Sequence, residues 1–531
     1  MRKPLARIKL FIQTHDMIEI QCNASPFILK PVLQLVDQLE FEPRSTREGI
    51  ILNLLNPFHE KFSAYRKQSH LTDSQTKEEQ IRYLGKLECE RKITRLAYLM
   101  RPYLKETQII FRLSPYFEPH PLFTLFVKYL KQHSGCPILY AFEDNEGEHF
   151  SMGATADRLE KLIYSSDSKR LDEAQFIYES ARTCVNSDDY YSAITILKSI
   201  AQLPHASADF KYDIWCELAI AHGAVGELKK ALFYWNQIKK SENLIHKNRA
   251  SYALGLYYTR HLPNEFQDVE MAEKHLQEGY RALEAQSNTS REDYTLDKVF
   301  NRSGMALATF KKGAVNEAQK MVEKGIAILN EINPNEHLFH QSVLYYNLAQ
   351  CQKAKGETSA MKNSLEKLIS LDGQFNLYHE FLTEFYIDQG VYSEALEAVN
   401  KALEIDGDHV PFHFLKGKIY FLLEDYPRAM VHFEHAYRLD PMDVGNLAYL
   451  TSIYNALEEF DAVIECLKNF HFKFSNNESG ELIINNLIIA LLNTNSAKRD
   501  FKELLDENIQ LKPDSEFFGD IKHMISDIYA D

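Results

Sequence analysis

The chain lacks the cysteine pairing that a disulfide-stabilised fold requires. It has seven cysteines, an odd number, and none of them stands in a Cys-x-x-Cys pair. Wide spacing of this kind fits a reducing compartment better than an oxidising one. The N-terminal apolar stretch is too short for a signal peptide, and the run LIIALL falls far short of the roughly 20 residues that cross a bilayer. We therefore expect a soluble, cytoplasmic protein that is not embedded in a membrane.

Basic residues are too few and too scattered for a nucleic-acid-binding surface. The chain has 60 Lys and Arg residues against 75 Asp and Glu residues, which gives a net charge of −15. Non-specific binding to nucleic acids depends on a dense basic footprint. We therefore expect no nucleic-acid partner, and we attribute the acidic balance to solubility.

The sequence patterns of common active sites are missing as well. There is no GxxxxGK[ST] phosphate-binding loop, no GxGxxG after a strand and no GxSxG. Asp144 and Glu146 follow a strand-like segment, where catalytic acids often lie in α/β folds. They belong, however, to the polar run EDNEGE, which is typical of a turn. We therefore predict no catalytic residue and no cofactor.

Two pairs of histidines have the spacing of residues on one helix face. His409 and His413 are four apart, and His432 and His435 are three apart. A zinc site needs further cysteine, histidine or carboxylate ligands at a fixed spacing, and the sequence offers none near these pairs. We expect His432 and His435 on a helix surface, and we predict no metal site.

What the chain does have is a repeat of 34 residues. Four consecutive segments share one frame, and they begin at Ser342, Asn376, Val410 and Val444. The segment from Val410 carries the clearest set of characteristic residues: Gly417, Tyr420, Ala429, Phe433, Ala436 and Pro441. This pattern closely resembles the tetratricopeptide repeat, a helix–turn–helix unit. The resemblance implies stacked helical hairpins that usually bind other proteins and carry no chemistry of their own.

The residues that recur have physical roles in such hairpins. Ala395 and Ala429 lie 34 residues apart at the start of the second helix, where small side chains let two helices pack closely. Larger residues at the same spacing fill the space between neighbouring units: Tyr386, Tyr420 and Tyr454. Pro441 ends its second helix, because proline cannot continue a helix. We expect Gly373 and Gly407 to end theirs in left-handed geometry.

The frame slips upstream, but the pattern continues. Units begin at about Val299, Tyr212 and Ala174, and another unit, with Leu254 and Gly255, has an unusually long linking segment, TRHLPNEFQDVE. After residue 477 the pattern decays into an apolar helix over 482–492 and a final amphipathic helix. We predict about eight repeats and a capping helix, since a terminal repeat has no neighbour to cover it.

The predicted fold is mainly α, with a smaller α/β part at the N-terminus. We assign residues 1–150 to an N-terminal α/β domain of unknown role, 151–170 to a linker helix, 171–511 to a right-handed superhelical array and 512–531 to the capping helix. The segments ARIKLFIQ, MIEIQC, QIIFRLS and CPILYAFE are strand-like, and HPLFTLFVKYLKQHSG is an amphipathic helix. Strand, helix and strand in this order indicate a βαβ unit with parallel strands. The alternative is an irregular helical cap that seals the first repeat.

The resemblance also implies where a partner binds. In this family the inner, concave surface is lined by positions two, five, nine and twelve of the first helix in each repeat. In this chain we take the following residues as candidate partner contacts: Arg249, Tyr252, Phe300, Phe310, Tyr346, Gln350, Lys353, Glu380, Glu384, Phe414, Lys418 and Phe421. Aromatic residues among charges of both signs suit a peptide or a helix of a partner protein. The Lys and Asn pattern that clamps the carboxylate tails of chaperones is absent.

Three functions remain open at this point. The chain could be a scaffold that holds a protein partner, or a regulator whose superhelix changes shape when it binds a peptide. It could also be an enzyme with an unrecognised active site in residues 1–150, because catalytic groups often come from distant positions.

Overall fold

The structure is a computed structural model, and it describes residues 16–23, 25–59, 62, 65, 85–104, 107–142, 151–164, 170–201, 203, 206–287, 294–332, 337–441, 443–467 and 478–494. The chain divides into two compact units, Met1–Phe375 and Asn376–Asp531. Three β-strands and 22 α-helices lie in the described residues. The predicted capping helix, 512–531, the end of the predicted array, 495–511, and the strand-like segment ARIKLFIQ fall outside them.

The N-terminal part of the first unit contains a parallel sheet. Its strands are β1 (Asp16–Cys22), β2 (Thr107–Leu113) and β3 (Ile138–Phe142), in the order β1-β2-β3. Both pairings are parallel, and Ile109 of β2 lies opposite Ile18 and Ile138. The predicted βαβ unit is therefore confirmed.

One helix connects β2 to β3 and packs on the sheet. Earlier helices are α1 (Lys30–Gln38), α2 (Thr46–Leu55) and α3 (Gly85–Met100), and α4 spans Pro121–Ser134. His120 accepts a hydrogen bond from the Leu122 N–H at the start of α4, and Gly135 ends it with a φ of 66°. Buried Phe123 of α4 packs edge to face on Phe111 of β2, with 5.2 Å between ring centroids.

The N-terminal part and the first helical hairpins share one hydrophobic core. A continuous cluster of buried apolar residues extends from Ile20 to Tyr257. Polar contacts cross the same boundary: Lys92 Nζ lies 2.7 Å from Asp188 Oδ2, and the Asn53 amide donates to Ser187 Oγ at 3.3 Å. Helix α5 (Ala154–Tyr164) lies in the segment predicted as a linker helix.

Eight helical hairpins follow in the described residues, which agrees with the predicted count. The first unit holds hairpin 1 (α6 Leu171–Asn186, α7 Tyr190–Lys198), hairpin 2 (α8 Ala208–Ala224, α9 Leu228–Ile238), hairpin 3 (α10 Leu244–Leu256, α11 Val269–Ser287), hairpin 4 (α12 Thr295–Lys311, α13 Val315–Ile332) and hairpin 5 (α14 Leu338–Lys355, α15 Thr358–Leu371). The second unit holds hairpin 6 (α16 Asn376–Asp388, α17 Tyr392–Ile405), hairpin 7 (α18 Val410–Leu422, α19 Tyr426–Leu439), hairpin 8 (α20 Val444–Ala456, α21 Phe460–Leu467) and a further helix, α22 (Glu478–Asn493).

The turn inside the hairpin has the same geometry in seven of the eight. The fifteenth residue of the repeat adopts a positive φ in each case: Asp188, Gly226, Gly313, Gly356, Gly390, Glu424 and Glu458. The next residue then donates its N–H to the carbonyl of the eleventh, as Asp425 does to Tyr420 at 2.9 Å. This bond closes the end of the first helix in the manner of a Schellman motif. The frames assigned from sequence are confirmed by this regularity.

The predicted contacts between the two helices of a hairpin are present, and two predicted helix ends are wrong. Ala395, Ala429 and Ala436 are fully buried, and the ring of Phe433 packs over Gly417, where a Cβ would lie 2.8 Å from it. Neither Gly373 nor Gly407 has a positive φ. The second helices end instead at aspartates with extended backbone, such as Asp406 at φ −141° and ψ 88°. The chain leaves these helices without a left-handed residue, so glycine is not needed for the geometry.

Helix α22 covers the last hairpin of the second unit. Its buried residues Ile484, Leu487 and Leu491 join the apolar cluster of hairpins 7 and 8. Asn486 fixes the contact, because its amide donates to Ser452 Oγ at 2.8 Å and to Thr451 Oγ1 at 3.0 Å. The apolar helix predicted over 482–492 is confirmed.

Candidate functional site

Three successive first helices of the first unit line one pocket, which we call the inner groove. Helices α10, α12 and α14 are the first helices of hairpins 3, 4 and 5, and residues on them and on the turn after α10 surround it. The nine lining residues are Tyr252, Leu256, Arg260, Ser303, Gly304, Leu307, Val343, Tyr346 and Asn347. Most of this lining is apolar or aromatic, with a few polar groups, as is usual for ligand pockets.

Packing behind the groove fixes its aromatic wall. The ring of Tyr252 meets Phe300 in an edge-to-face contact, with 6.2 Å between centroids, and Phe300 in turn meets His340 at 4.1 Å. A Cβ at Gly304 would lie 3.1 Å from the Tyr252 ring and 2.9 Å from Leu276 Cδ2. Glycine at position 304 therefore allows Tyr252 to lie close to α12.

The polar groups of the groove come from all three hairpins. The Asn347 side-chain amide of α14 donates to Ser303 Oγ of α12 at 3.1 Å, so these two side chains are held together. Arg260 enters from the turn after α10, and its Nε lies 3.4 Å from His261 Nε2. Burial lowers the pKa of His261 to about 2 and the pKa of His340 to about 3, so neither imidazole carries charge near neutral pH.

The seven candidate contacts predicted in the first unit fall into two groups. Tyr252 and Tyr346 line the inner groove, and Phe300 packs directly behind Tyr252. The other four lie on the same first helices but outside the groove lining. Arg249 and Lys353 are exposed, and Phe310 and Gln350 are half-buried. Their role in binding stays a prediction.

The charged candidates of the second unit differ in their contacts and exposure. Glu380 Oε1 lies 2.7 Å from His409 Nε2, at the start of the next hairpin. Glu384 is exposed and Lys418 is half-buried. These side chains stay predictions as partner contacts.

The aromatic candidates of the second unit take part in packing between hairpins 7 and 8. Phe414 and Phe421 of α18 both contact Tyr449 of α20, with centroid distances of 5.6 and 5.3 Å. Both phenylalanines are only half-buried. They contribute to the array's stability, and the part of each ring that stays exposed is what a partner could contact.

Sequence reasoning missed most of the groove lining, although the repeat frame contained part of it. Ser303 and Leu307 are positions five and nine of the repeat from Val299, and Val343 is position two of the next. Applying the rule for inner positions to all residue types, and not mainly to aromatic and charged ones, would have found these three. Arg260 belongs to an inserted turn outside the frame, so no repeat position predicts it.

Histidines gather in hairpin 7 without forming a metal site. His413 Nδ1 and His432 Nδ1 lie 3.2 Å apart, and the ring of His435 lies 4.0 Å from that of His413. His432 and His435 are both half-buried against His413, so they are less exposed than the sequence prediction of a helix surface implied. Among the residues that the structure describes, no group of three or more histidine, cysteine or acidic side chains could hold a metal ion.

Every cysteine with a shifted pKa is shifted upward, away from the reactive thiolate. None of the seven is joined to another by a disulfide bond, and six of them are buried. Burial raises the pKa of Cys22 to about 12 and that of Cys351 to about 11, which keeps both thiols protonated. Asp144 and Glu146, the acidic pair considered above, lie outside the described residues. No helix in the described ranges is long and apolar enough to cross a membrane.

Comparisons with known proteins bear on the hairpins. Residues 343–375 and 410–442 match the sequence model of a family described as tetratricopeptide repeat. These two segments coincide with hairpins 5 and 7. The chain matches no curated protein sequence.

Several solved structures are similar to parts of the chain. One is a tetratricopeptide repeat protein from Parabacteroides merdae, with 17% identity, a TM-score of 0.37, and coverage of 53% of this chain and 99% of that chain. Another is a thermophilic TPR protein from Thermus thermophilus, with 17% identity, a TM-score of 0.27, and coverage of 36% and 99%. A third is the APC/C hetero-tetramer Cut9-Hcn1, with 14% identity, a TM-score of 0.30, and coverage of 69% and 78%.

Proposed function

We propose that this chain, a tetratricopeptide repeat protein, is an interaction scaffold that holds a segment of another protein in the inner groove. Repeats of this kind typically bind proteins and are not enzymes. The observation that carries the proposal is the convergence of three successive first helices on one pocket with two tyrosines, Tyr252 and Tyr346, in its wall. Tyrosine is among the residues that most often dominate binding energy at protein interfaces.

The chemistry of the lining supports an extended segment or one helix face as the occupant. Leu256, Leu307 and Val343 offer apolar surface, while Ser303 and Asn347 offer hydrogen-bonding groups. Fully burying one large apolar side chain contributes about 1.5–3 kcal/mol. One or two such side chains contribute roughly 1.5–6 kcal/mol before the cost of ordering the segment, which supports an affinity weaker than micromolar, about −8 kcal/mol.

The N-terminal part takes a supporting role in this proposal. Because it shares a core with the first hairpins, we infer that residues 1–150 seal the open end of hairpin 1, as a terminal repeat requires. The domain boundaries predicted from the sequence, after residues 150, 170 and 511, are kept as part of this proposal. We also keep the reducing, cytoplasmic setting expected from the sequence, because no disulfide links the seven cysteines.

The proposal is tested by quantitative affinity capture with the full chain. Tyr346→Ala removes one aromatic wall of the groove and should weaken capture of the specific partner by roughly 30-fold, the equivalent of about 2 kcal/mol. Phe233→Ala is the matched control, because this aromatic side chain of the same unit is 58% exposed on α9 and lies outside the groove lining. Equal capture by wild type, Tyr346→Ala and Phe233→Ala would rule out the inner groove as the binding surface.

A further inference from the structure

Hairpin 3 differs from the other seven hairpins in its turn. In place of the left-handed residue at position fifteen, α10 continues into a π-helical turn, Tyr257–His261, followed by the extra residues that lead to α11. This turn places Arg260 in the wall of the inner groove. Short π-helical segments occur often at functional sites, because they cost stability and are kept when they position a useful group.

The irregular turn is held in place by its own hydrogen bonds. The Leu262 N–H donates to the Tyr257 carbonyl at 3.0 Å, and the Asp268 N–H donates to the Tyr258 carbonyl at 3.0 Å. The Gln267 side-chain amide donates to the Leu262 carbonyl at 2.9 Å. The backbone that carries Arg260 is therefore fixed against α10.

Arg260 also gives the groove its charge. It is the single charged residue among the nine lining residues, and its side chain is half-buried. The neighbouring imidazole of His261 is neutral, because burial and the charge of Arg260 both lower its pKa. A guanidinium presents two parallel N–H donors, which match the two oxygens of a carboxylate.

We propose that the inner groove selects protein segments in which a carboxylate stands beside a bulky apolar side chain. Arg260 binds the carboxylate, and the surface formed by Tyr252, Leu307 and Tyr346 takes the apolar side chain. The inference rests on the proposed function and adds to it the chemistry of the segment. Charge complementarity argues for this occupant, since the groove lining contains no acidic side chain that would favour a basic segment.

The test is a selection of random short peptides displayed on phage, with the full chain as bait. Wild type should enrich peptides with Asp or Glu next to a large apolar residue. Arg260→Glu should reverse the preference toward Lys or Arg, and Arg260→Gln should lose it. Arg281→Glu is the matched control, because Arg281 is an exposed arginine on α11 of the same hairpin and lies outside the groove lining, so this variant should select as wild type does.

A second measurement uses one enriched peptide with a fluorescent label, together with its amide counterpart in which Asp becomes Asn or Glu becomes Gln. Wild type should bind the acidic form roughly tenfold or more tightly, as expected for a hydrogen bond to a charged group. Arg260→Gln should bind both forms alike, and Tyr346→Ala should weaken both. Circular dichroism melting establishes that each variant is folded.

The outcomes separate the two proposals. Enriched peptides that depend on Tyr346 but show no acidic preference would overturn the inference and leave the proposed function standing. Absence of any enrichment, or enriched peptides that bind Tyr346→Ala as well as wild type, would overturn both. An acidic preference that persists in Arg260→Glu would show that another cation binds the carboxylate, and that result also overturns the inference.

Discussion

Replacing Glu424 or Glu458 by glycine should stabilise the second unit. Both residues stand at position fifteen of the repeat, where they adopt φ values of 59° and 61°. In hairpins 4, 5 and 6 the same position is glycine, with φ values of 83°, 70° and 69°. Left-handed backbone costs an L-residue roughly 1–2 kcal/mol, because the Cβ crowds the following carbonyl oxygen.

Glycine removes that cost but adds another. It makes the unfolded chain more flexible, which disfavours folding by roughly 0.5–1 kcal/mol. Both glutamate side chains are exposed, so little contact energy is lost with them. The difference favours glycine by about 0.5–1 kcal/mol at each site.

Hydrogen exchange followed by mass spectrometry is the suitable assay, because a long repeat array does not unfold in a single two-state step. Peptides from α18 and α19 report on hairpin 7 alone. In Glu424→Gly their slowest amides should exchange about two- to fivefold more slowly than in wild type, which corresponds to the expected gain.

Gly390→Glu is the matched control in the opposite direction. Nothing lies within 4 Å of a Cβ at Gly390, so only the backbone conformation opposes the substitution. It should speed exchange in α16 and α17 by a similar factor. Faster exchange in Glu424→Gly, or unchanged exchange in Gly390→Glu, would refute the left-handed turn as a feature common to these hairpins.

Three further predictions concern the core, the array's open end and the histidine cluster. Ala429→Trp should destabilise hairpin 7 by at least about 1–3 kcal/mol, read by hydrogen exchange, because the fully buried Ala429 leaves no room for an indole. A truncated chain of residues 170–531 should melt at a lower temperature than the full chain or aggregate, because it exposes the core shared with the N-terminal part. Burial lowers the pKa of His413 and of His432 from 6.5 to about 4, so the unfolded chain binds more protons than the folded chain between these values. Stability against urea should therefore fall as the pH drops from 6.5 toward 4, and His413→Gln should reduce this dependence.

Each of these predictions has a result that contradicts it. Unchanged exchange in Ala429→Trp would mean that the repeat frame is misplaced in hairpin 7. A truncated chain as stable as the full one would show that the N-terminal part is not a cap. Stability against urea that rises or stays constant as the pH drops from 6.5 to 4 would contradict the buried, neutral state of His413 and His432.

The repeat frame explains how much of the fold the sequence could predict. Spacing alone located the turns, although Glu424 and Glu458 have no special preference for left-handed backbone. The strands and the helix between β2 and β3 followed from local hydrophobic patterns. Glycine was a poor guide to the ends of the second helices, because Asp372 and Asp406 end those helices with extended backbone.

The groove was harder to predict than the fold. Tyr252 and Tyr346, which line the groove, were among the candidates because of their positions in the repeat frame. Arg260 was missed because a local irregularity, the π-helical turn, brings it to the groove, and a repeat pattern describes only what recurs. Packing of the N-terminal part on hairpin 1 was raised only as an alternative, since the shared core depends on contacts such as Lys92 with Asp188 that are far apart in the sequence.

The most direct test of partner binding in the inner groove places a photo-crosslinking amino acid, benzoylphenylalanine, at position 307 of the full chain inside cells. Leu307 lies in the groove on α12, and position 233, exposed on α9, serves as the control. Irradiation should join one protein to position 307, through a defined segment of its chain, and not to position 233. Equal yields at the two positions, or no adduct at position 307, would contradict binding in the groove.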